Sequence, residues 1–301
     1  MGRRLRPRAC RISTRKFHMH PYRQFVESYE RLYREGKDIP MGGFPNRAKA
    51  QIAADAPVAL IFSPHPDDEC IIGALPLRLL RQATMRVINV AVTQGSNKAR
   101  QAARWEELQK ACEFMGFELI QTRPNGLERV NPKTREQDPA FWKESVGIIS
   151  EILKRTNPKV IFFPHEQDWN SSHIGTHYLV TDALKGLALT PYTVETEYWG
   201  QNNRPNLMVQ STVEDVADMV AGTSFHVGEV TRNPFHLFLP AWMQENVRRG
   251  SELVGGQGEA APDWTFATLY RMRKWRKDGF EEVLEKGRLL PAEENAGVLF
   301  A

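Results

Sequence analysis

Short apolar runs, each too brief for a helix and each followed by a longer helical run, are what most constrain this 301-residue chain. Residues 57–62, 86–92, 117–120 and 160–163 are β-branched or aromatic and read as buried strands. Residues 70–80, 98–115, 141–156 and 178–189 read as the helices between and after them. Strands that alternate with helices of this length need crossover connections, which favours a parallel sheet covered on both faces. The expected fold is therefore α/β, a Rossmann-like three-layer α/β/α arrangement with a mostly parallel sheet. Residues 193–199 alternate and read as a further strand closing that sheet.

Open sheets of this kind bind ligands beyond the carboxyl ends of their strands, so the residues at those junctions carry the functional information. After the strand at 57–62 come Pro64, His65, Pro66, Asp67, Asp68 and Glu69. After the strand at 160–163 come His165, Asp168, Asn170, Ser171, Ser172, His173 and His177. Standing by themselves, Asp67, Asp68 and Glu69 would be an acidic helix start favoured by the helix dipole. Recurrence of histidine and carboxylate at a second junction weighs against that reading, because both junctions lie on one edge of the sheet. Imidazole with carboxylate oxygen suits zinc or a similar divalent cation. Of two adjacent aspartates, one can hold the cation while the other handles a proton.

A strand ending in His-Pro-Asp-Asp-Glu, with a later strand ending in an Asp-rich, His-containing loop, resembles the PIG-L or LmbE-like family of zinc-dependent de-N-acetylases. That family includes deacetylases of N-acetylglucosaminyl-phosphatidylinositol and of glucosaminyl-inositol and glucosaminyl-malate thiol precursors. The resemblance runs from about residue 58 to about 187, with a weaker echo to about 230. It implies that His65, Asp68 and His173 are metal ligands, leaving a coordination position open for water. It further implies that Asp67 is the general base and that Glu69 caps the following helix or orients a ligand. The expected cofactor is Zn2+, with Fe2+ an alternative occupant, and the expected partner is a small N-acetylated sugar.

One departure bears on the chemistry. Asn170 stands where the family commonly has a histidine, and Ser171-Ser172 replace its Pro-Asp pair. An asparagine amide can donate a hydrogen bond to an oxyanion but cannot deliver a proton near neutral pH. The acid role then falls to Asp67 or to another histidine, with His226, His165 and His177 as candidates. His177 follows His173 by four residues, on the same helix face, and is a candidate substrate contact. Arg104, Glu107, Ala111 and Gly116 resemble the family's Arg-x-x-Glu-x-x-x-Ala pattern. Arg104 is thus either a fork for sugar hydroxyls or a carboxylate or half of an ordinary intrahelical pair with Glu107. His226 sits in a segment that only weakly resembles a family His-x-Ser-Gln.

The net charge of +4 would suggest a nucleic-acid partner if it were spread over the fold. It is not: residues 1–23 hold eight Arg and Lys and no acid, so the remainder carries −4. Residues 1–23 therefore read as a basic, disordered extension, Arg-rich like a transit peptide, with Met19 an alternative start. Residues 24–301 read as one deacetylase domain with a helical and aromatic subregion from about 235. Tyr22, Phe25, Tyr29 and Tyr33 read as packing residues of a first helix, and the loop at 122–139 as a wall of the substrate pocket. The aromatic stretch from Trp264 to Trp275 reads as core, as a homo-oligomer contact or as a sugar platform. No run approaches the length of a transmembrane helix, and three scattered cysteines favour a reducing, cytoplasmic setting. The function expected is metal-dependent removal of an N-acyl, chiefly N-acetyl, group from an amino sugar or its conjugate. The alternative is an impaired metal-binding module of the same fold that holds a sugar-like ligand. A dinucleotide-binding protein is disfavoured, because Pro-His-Pro occupies the junction where such folds need glycines.

Overall fold

The computed structural model describes residues 20–46, 51–277 and 279–301. The basic stretch at 1–19, and with it most of the expected extension, lies outside the described residues. The chain divides into two compact units, residues 1–39 and 40–301. The first contains α1 (Tyr22–Gly36), braced by Arg23–Glu27 and Arg34–Glu30 pairs of 2.6 Å at four-residue spacing. Its Tyr22 and Phe25 are exposed rather than packed, contrary to expectation.

The second unit is a nine-stranded sheet flanked by helices. Its strands are β1 (Val58–Ser63), β2 (Arg86–Ala91), β3 (Glu118–Gln121), β4 (Val160–Pro164), β5 (Tyr192–Thr196), β6 (Leu207–Gln210), β7 (Ala267–Arg276), β8 (Gly279–Glu282) and β9 (Arg288–Leu290). Its helices are α2 (Asp68–Ile71), α3 (Leu75–Gln82), α4 (Gln101–Met115), α5 (Pro132–Gln137), α6 (Pro139–Thr156), α7 (Ser171–Lys185), α8 (Val213–Ser224), α9 (Val227–Arg232) and α10 (Leu239–Leu253). The strand order is β3-β2-β1-β4-β5-β7-β6-β9, with β8 paired to β7. Strands β1 to β5 are mutually parallel, as expected.

Burial on both faces explains why these strands read as continuous apolar runs. Along β1, Ala59 and Ile61 join one core with Leu75, Leu79, Leu108 and Met219. Leu60 and Phe62 join the opposite core with Ile149, Leu153, Leu179 and Val180. The period-2 alternation of one strand thus feeds two separate helix layers. The chain runs β1, β2, β3 to one side, then crosses back to place β4 against the other edge of β1. The β1/β4 boundary is therefore the topological switch point, where the strand ends open a crevice.

Two expectations are corrected, and the aromatic stretch takes the core reading. The helix expected at 70–80 is broken into α2 and α3 at Gly73, whose φ of +89 favours glycine. A Cβ there would overlap the side chains of Thr268 and Tyr270. The Tyr270 hydroxyl bridges the break, donating to the Ile72 carbonyl (2.7 Å) and accepting from the Leu75 N–H (3.4 Å). The strand expected to close the sheet does not close it, because β5 pairs antiparallel with β7 and the sheet continues to β6 and β9. Most of the aromatic stretch is that same β7, with Tyr270 and Trp275 in the core. The segment is thus a sheet strand, leaving Tyr270 and Trp275 no open face on which to stack a sugar. Among the described residues, no helix is long and apolar enough to cross a membrane.

Candidate metal centre

At the end of β1, Pro64 and Pro66 cannot extend a hydrogen-bonded ladder, and the chain turns sharply into α2. Asp67 takes the turn with φ 114, in the left-handed region that costs a non-glycine residue about 1–3 kcal/mol. Its N–H donates to Glu69 Oε2 at 3.0 Å, which holds it there. The His65 N–H donates to Asp68 Oδ2 at 2.8 Å, closing the loop on itself. At the end of β4, α7 starts at an Asn170 cap whose Oδ1 accepts from the Ser172 N–H at 2.8 Å, and its first turn presents His173.

These two loops bring His65, Asp68 and His173 together. His65 Nδ1 lies 3.2 Å from His173 Nε2. Asp68 Oδ2 lies 3.5 Å from His65 Nδ1 and 3.4 Å from His173 Nε2. Two ligand atoms each about 2.0–2.1 Å from a tetrahedral zinc lie roughly 3.3–3.4 Å apart, so this triangle fits such an ion. All three donor atoms lie in a largely buried setting and converge closely enough to share one cation.

The surrounding groups orient the triangle. Asp168 accepts from the backbone N–H groups of Asn170 (2.8 Å), Trp199 (3.1 Å) and Gly200 (3.2 Å). It thereby presents Oδ1 to His173 Nδ1 at 3.6 Å, the arrangement by which a carboxylate sets the orientation of a ligating imidazole. The Tyr198 ring meets the His173 ring edge-on at 4.7 Å. Burial opposes a charge on His173, but Asp68 and Asp168 outweigh it and raise the imidazole pKa. Burial likewise works against an ionised Asp68, yet the His173 and His65 partners hold its carboxyl below the usual range. Asp67 behaves oppositely. Burial first, and then the charge of Asp68, push its carboxyl well above the ordinary value, only partly offset by Arg104.

A cavity of about 460 Å³ opens over this centre, with His65, Asp67, Asp68, Asn170 and His173 in its wall. Arg104 also lines it, its Nη2 donating to the Pro66 carbonyl at 3.2 Å and lying 3.5 Å from Glu229 Oε1. Glu107 instead accepts from the Gly228 N–H at 3.0 Å, so the intrahelical Arg104–Glu107 pair is not what this helix uses.

Other expected site residues lie elsewhere. His226 is fully buried behind the loop, its Nε2 2.7 Å from Glu69 Oε1, and does not reach the cavity. Glu69 is buried with it, its Oε2 accepting from the Asp67 N–H at the start of α2, and it does not line the cavity. His177 is buried against Phe163 and Tyr178, with Nδ1 3.0 Å from the Pro164 carbonyl. His165 has both ring nitrogens engaged, Nε2 2.8 Å from the Gly200 carbonyl and Nδ1 accepting from Gln167 N–H. None of these three histidines lines the cavity; for His177 on α7, four-residue spacing from His173 does not distinguish a side chain directed into the crevice from one directed into the sheet. Nor do residues of the loop at 122–139 line it; part of that loop folds as α5 and packs against α7. The sequence pattern does not reveal Asp168 as an orienting carboxylate, Tyr198, or Glu229 with Arg100 and Arg232.

His177 supports a direct stability test. Burial lowers its pKa to about 4, with the Pro164 hydrogen bond only partly compensating and the charges of Arg273, His165 and Arg135 adding to the shift. Its folded value lies below its unfolded value of about 6.5, so protons favour the unfolded chain. Stability from this group is present above about pH 6.5 and is lost as pH falls toward 4, to the extent of about 3 kcal/mol. Urea unfolding at pH 7 and pH 4.5 should show a smaller loss for His177→Gln than for the unaltered protein. An equal loss in both would contradict the assignment.

Comparison with known proteins places this geometry in context. The family described as "PIG-L: GlcNAc-PI de-N-acetylase" matches residues 60–184, a span holding both junction motifs, so the resemblance read from those motifs holds. No curated protein matches the sequence. Among solved structures, N,N'-diacetylchitobiose deacetylase from Pyrococcus horikoshii is 16% identical over 82% of this chain and 92% of its own, with a TM-score of 0.53. A zinc-inhibited form of teicoplanin deacetylase is 14% identical over 73% of this chain and 99% of its own, with a TM-score of 0.53. The 4-carboxy-2-hydroxymuconate hydratase from Pseudomonas putida is 14% identical over 72% and 95%, with a TM-score of 0.51. At such identities the likeness is one of fold, and these neighbours include both deacetylases and a hydratase.

Proposed function

We propose that the PIG-L-type region at 60–184 forms a metal-dependent amide hydrolase that removes an N-acyl group, chiefly N-acetyl, from an amino sugar or its conjugate. The observation that carries this reading is the triangle of His65, Asp68 and His173 with the high-pKa carboxyl of Asp67 beside it in one cavity. A divalent cation held by those three residues supplies Lewis acidity, polarising a carbonyl and lowering the pKa of water to about 7. Zinc is the ion the donor set favours.

Asp67 takes the proton of the attacking water as the new C–O bond forms. The amide C–N bond then breaks, and the same carboxyl returns that proton to the departing nitrogen, releasing acetate and a free amine. Among the described residues, no lining histidine other than the two ligands is available as an acid, which leaves the proton with Asp67 throughout. Asn170 keeps its Oδ1 on the α7 cap, so its side chain offers only N–H donors to an oxyanion. Arg104 stands beside Asp67 and its positive charge steadies the ionised carboxylate between cycles.

A panel of N-acetylated glucosamine conjugates, assayed for acetate release with and without a chelator, tests this reading. Chelator-sensitive release from at least one conjugate is the expected result. Tight zinc binding with no release from any of them would favour the impaired binding module instead.

A further inference from the structure

One wall of the cavity carries charge that neither the cation triangle nor the proton transfer uses. Arg100, Arg104 and Arg232 all line it around a single carboxylate, Glu229. Arg100 Nη2 lies 2.9 Å from Glu229 Oε1, Arg232 Nη2 lies 2.8 Å from Oε2, and Arg104 Nη2 lies 3.5 Å from Oε1. Glu229 neutralises one guanidinium and Asp67 faces Arg104, so one positive charge remains in excess on this wall. Of the other lining carboxylates, Asp68 belongs to the cation triangle and Glu197 is paired with Arg249 at 3.0 Å.

The backbone makes room for these guanidinium groups. A Cβ at Gly228 would come within 2.6 Å of Arg100 Nη2. At Gly95, whose φ is +79, a Cβ would overlap Arg104 Nη1. Arg104 is further tied to the Pro66 carbonyl, whereas the Arg232 side chain is 65% exposed and that of Arg100 35%. Arg100 and Arg232 are therefore the two with donors left for a ligand, and Ser96, Asn97 and Asn233 stand beside them in the lining.

We propose that Arg100 and Arg232, set around Glu229, form an oxyanion subsite, so that the N-acyl substrate carries a carboxylate or phosphate group held at this wall of the cavity. The proposal rests on the hydrolase reading of the same cavity. Guanidinium forks recognise either oxyanion bidentately, and their charge steers such a substrate in a salt-dependent way. Glu229 bridges the two forks, Oε1 to Arg100 and Oε2 to Arg232.

The test compares methyl N-acetylglucosaminide with its carboxymethyl counterpart and with N-acetylglucosamine 1-phosphate and 6-phosphate, on the metal-loaded enzyme. At least one anionic compound should show a kcat/KM tenfold or more above the neutral one, gained in KM and shrinking in 0.5 M salt. In Arg100→Gln/Arg232→Gln that ratio should fall at least tenfold, and Arg100→Lys/Arg232→Lys should restore part of it. A ratio near one in the unaltered enzyme for every anion, or an undiminished ratio in the Gln variant, overturns the subsite. Calorimetric binding of N-acetylglucosamine 1-phosphate and 6-phosphate separates the two readings. Binding that the Gln variant loses, with no amide cleaved, keeps the subsite and sinks the hydrolase. Cleavage without anion preference does the reverse.

Discussion

Replacing Asp67 by asparagine should lower kcat by about 10²–10⁴ while leaving the bound metal untouched. Asparagine tolerates the left-handed backbone that Asp67 adopts at φ 114, so the turn and its hydrogen bond to Glu69 are expected to survive. What is lost is a carboxyl that can be base and then acid. Its burial beside Asp68 keeps its proton affinity high enough for both duties. Alanine at the same position should lose at least as much. Steady-state kinetics combined with elemental analysis of the same preparations checks this. A variant that keeps most of its turnover would remove Asp67 from the mechanism, and one that loses its metal would make it a structural residue.

The parts of this site that a reader of the chain could find are those written in short-range order. Apolar runs such as 57–62 and 160–163 announce strands buried on both faces, and the residues just after them must lie at the switch point. His65, Asp67 and Asp68 share one tight loop, and His173 follows its strand by a single turn and helix start. What escaped notice depends on contacts between distant segments. Asp168 orients His173 only because the Trp199 and Gly200 amides arrive some thirty residues later to hold it. Arg100 reaches Glu229 of α9 from a segment far away in the chain, where it joins Arg232 of the same helix. His177 and His226 have attractive positions in the chain, yet the first packs against Phe163 and the second against Glu69. The β7 strand, arriving from the C-terminal region to sit antiparallel beside β5, showed itself only as a cluster of aromatics. Strand alternation within β7 sends Tyr270 and Met272 to one core and Trp275 to the other.

His173→Ala should abolish both metal retention and turnover. His173 Nε2 is one corner of the triangle, 3.2 Å from His65 Nδ1 and 3.4 Å from Asp68 Oδ2. Losing an outer partner of a metal ligand typically costs 10–100-fold in affinity, and losing a ligand itself should cost more. The buried carboxylates of Asp68 and Asp168 would also be left without the imidazole that draws both of their pKa values down. Some destabilisation is therefore expected alongside the loss of metal, and circular dichroism on the purified variant separates a folded, metal-free protein from an unfolded one. A folded His173→Ala protein with full metal content and normal turnover would exclude His173 as a ligand.

Stripping the purified protein of metal and titrating zinc back while following acetate release puts the whole proposal to one trial. Activity absent from the stripped protein, returning in proportion to added zinc and levelling at one equivalent per chain, is the outcome that a single His65–Asp68–His173 centre requires. Hydrolysis that persists in the stripped protein, or that ignores added metal altogether, would contradict it.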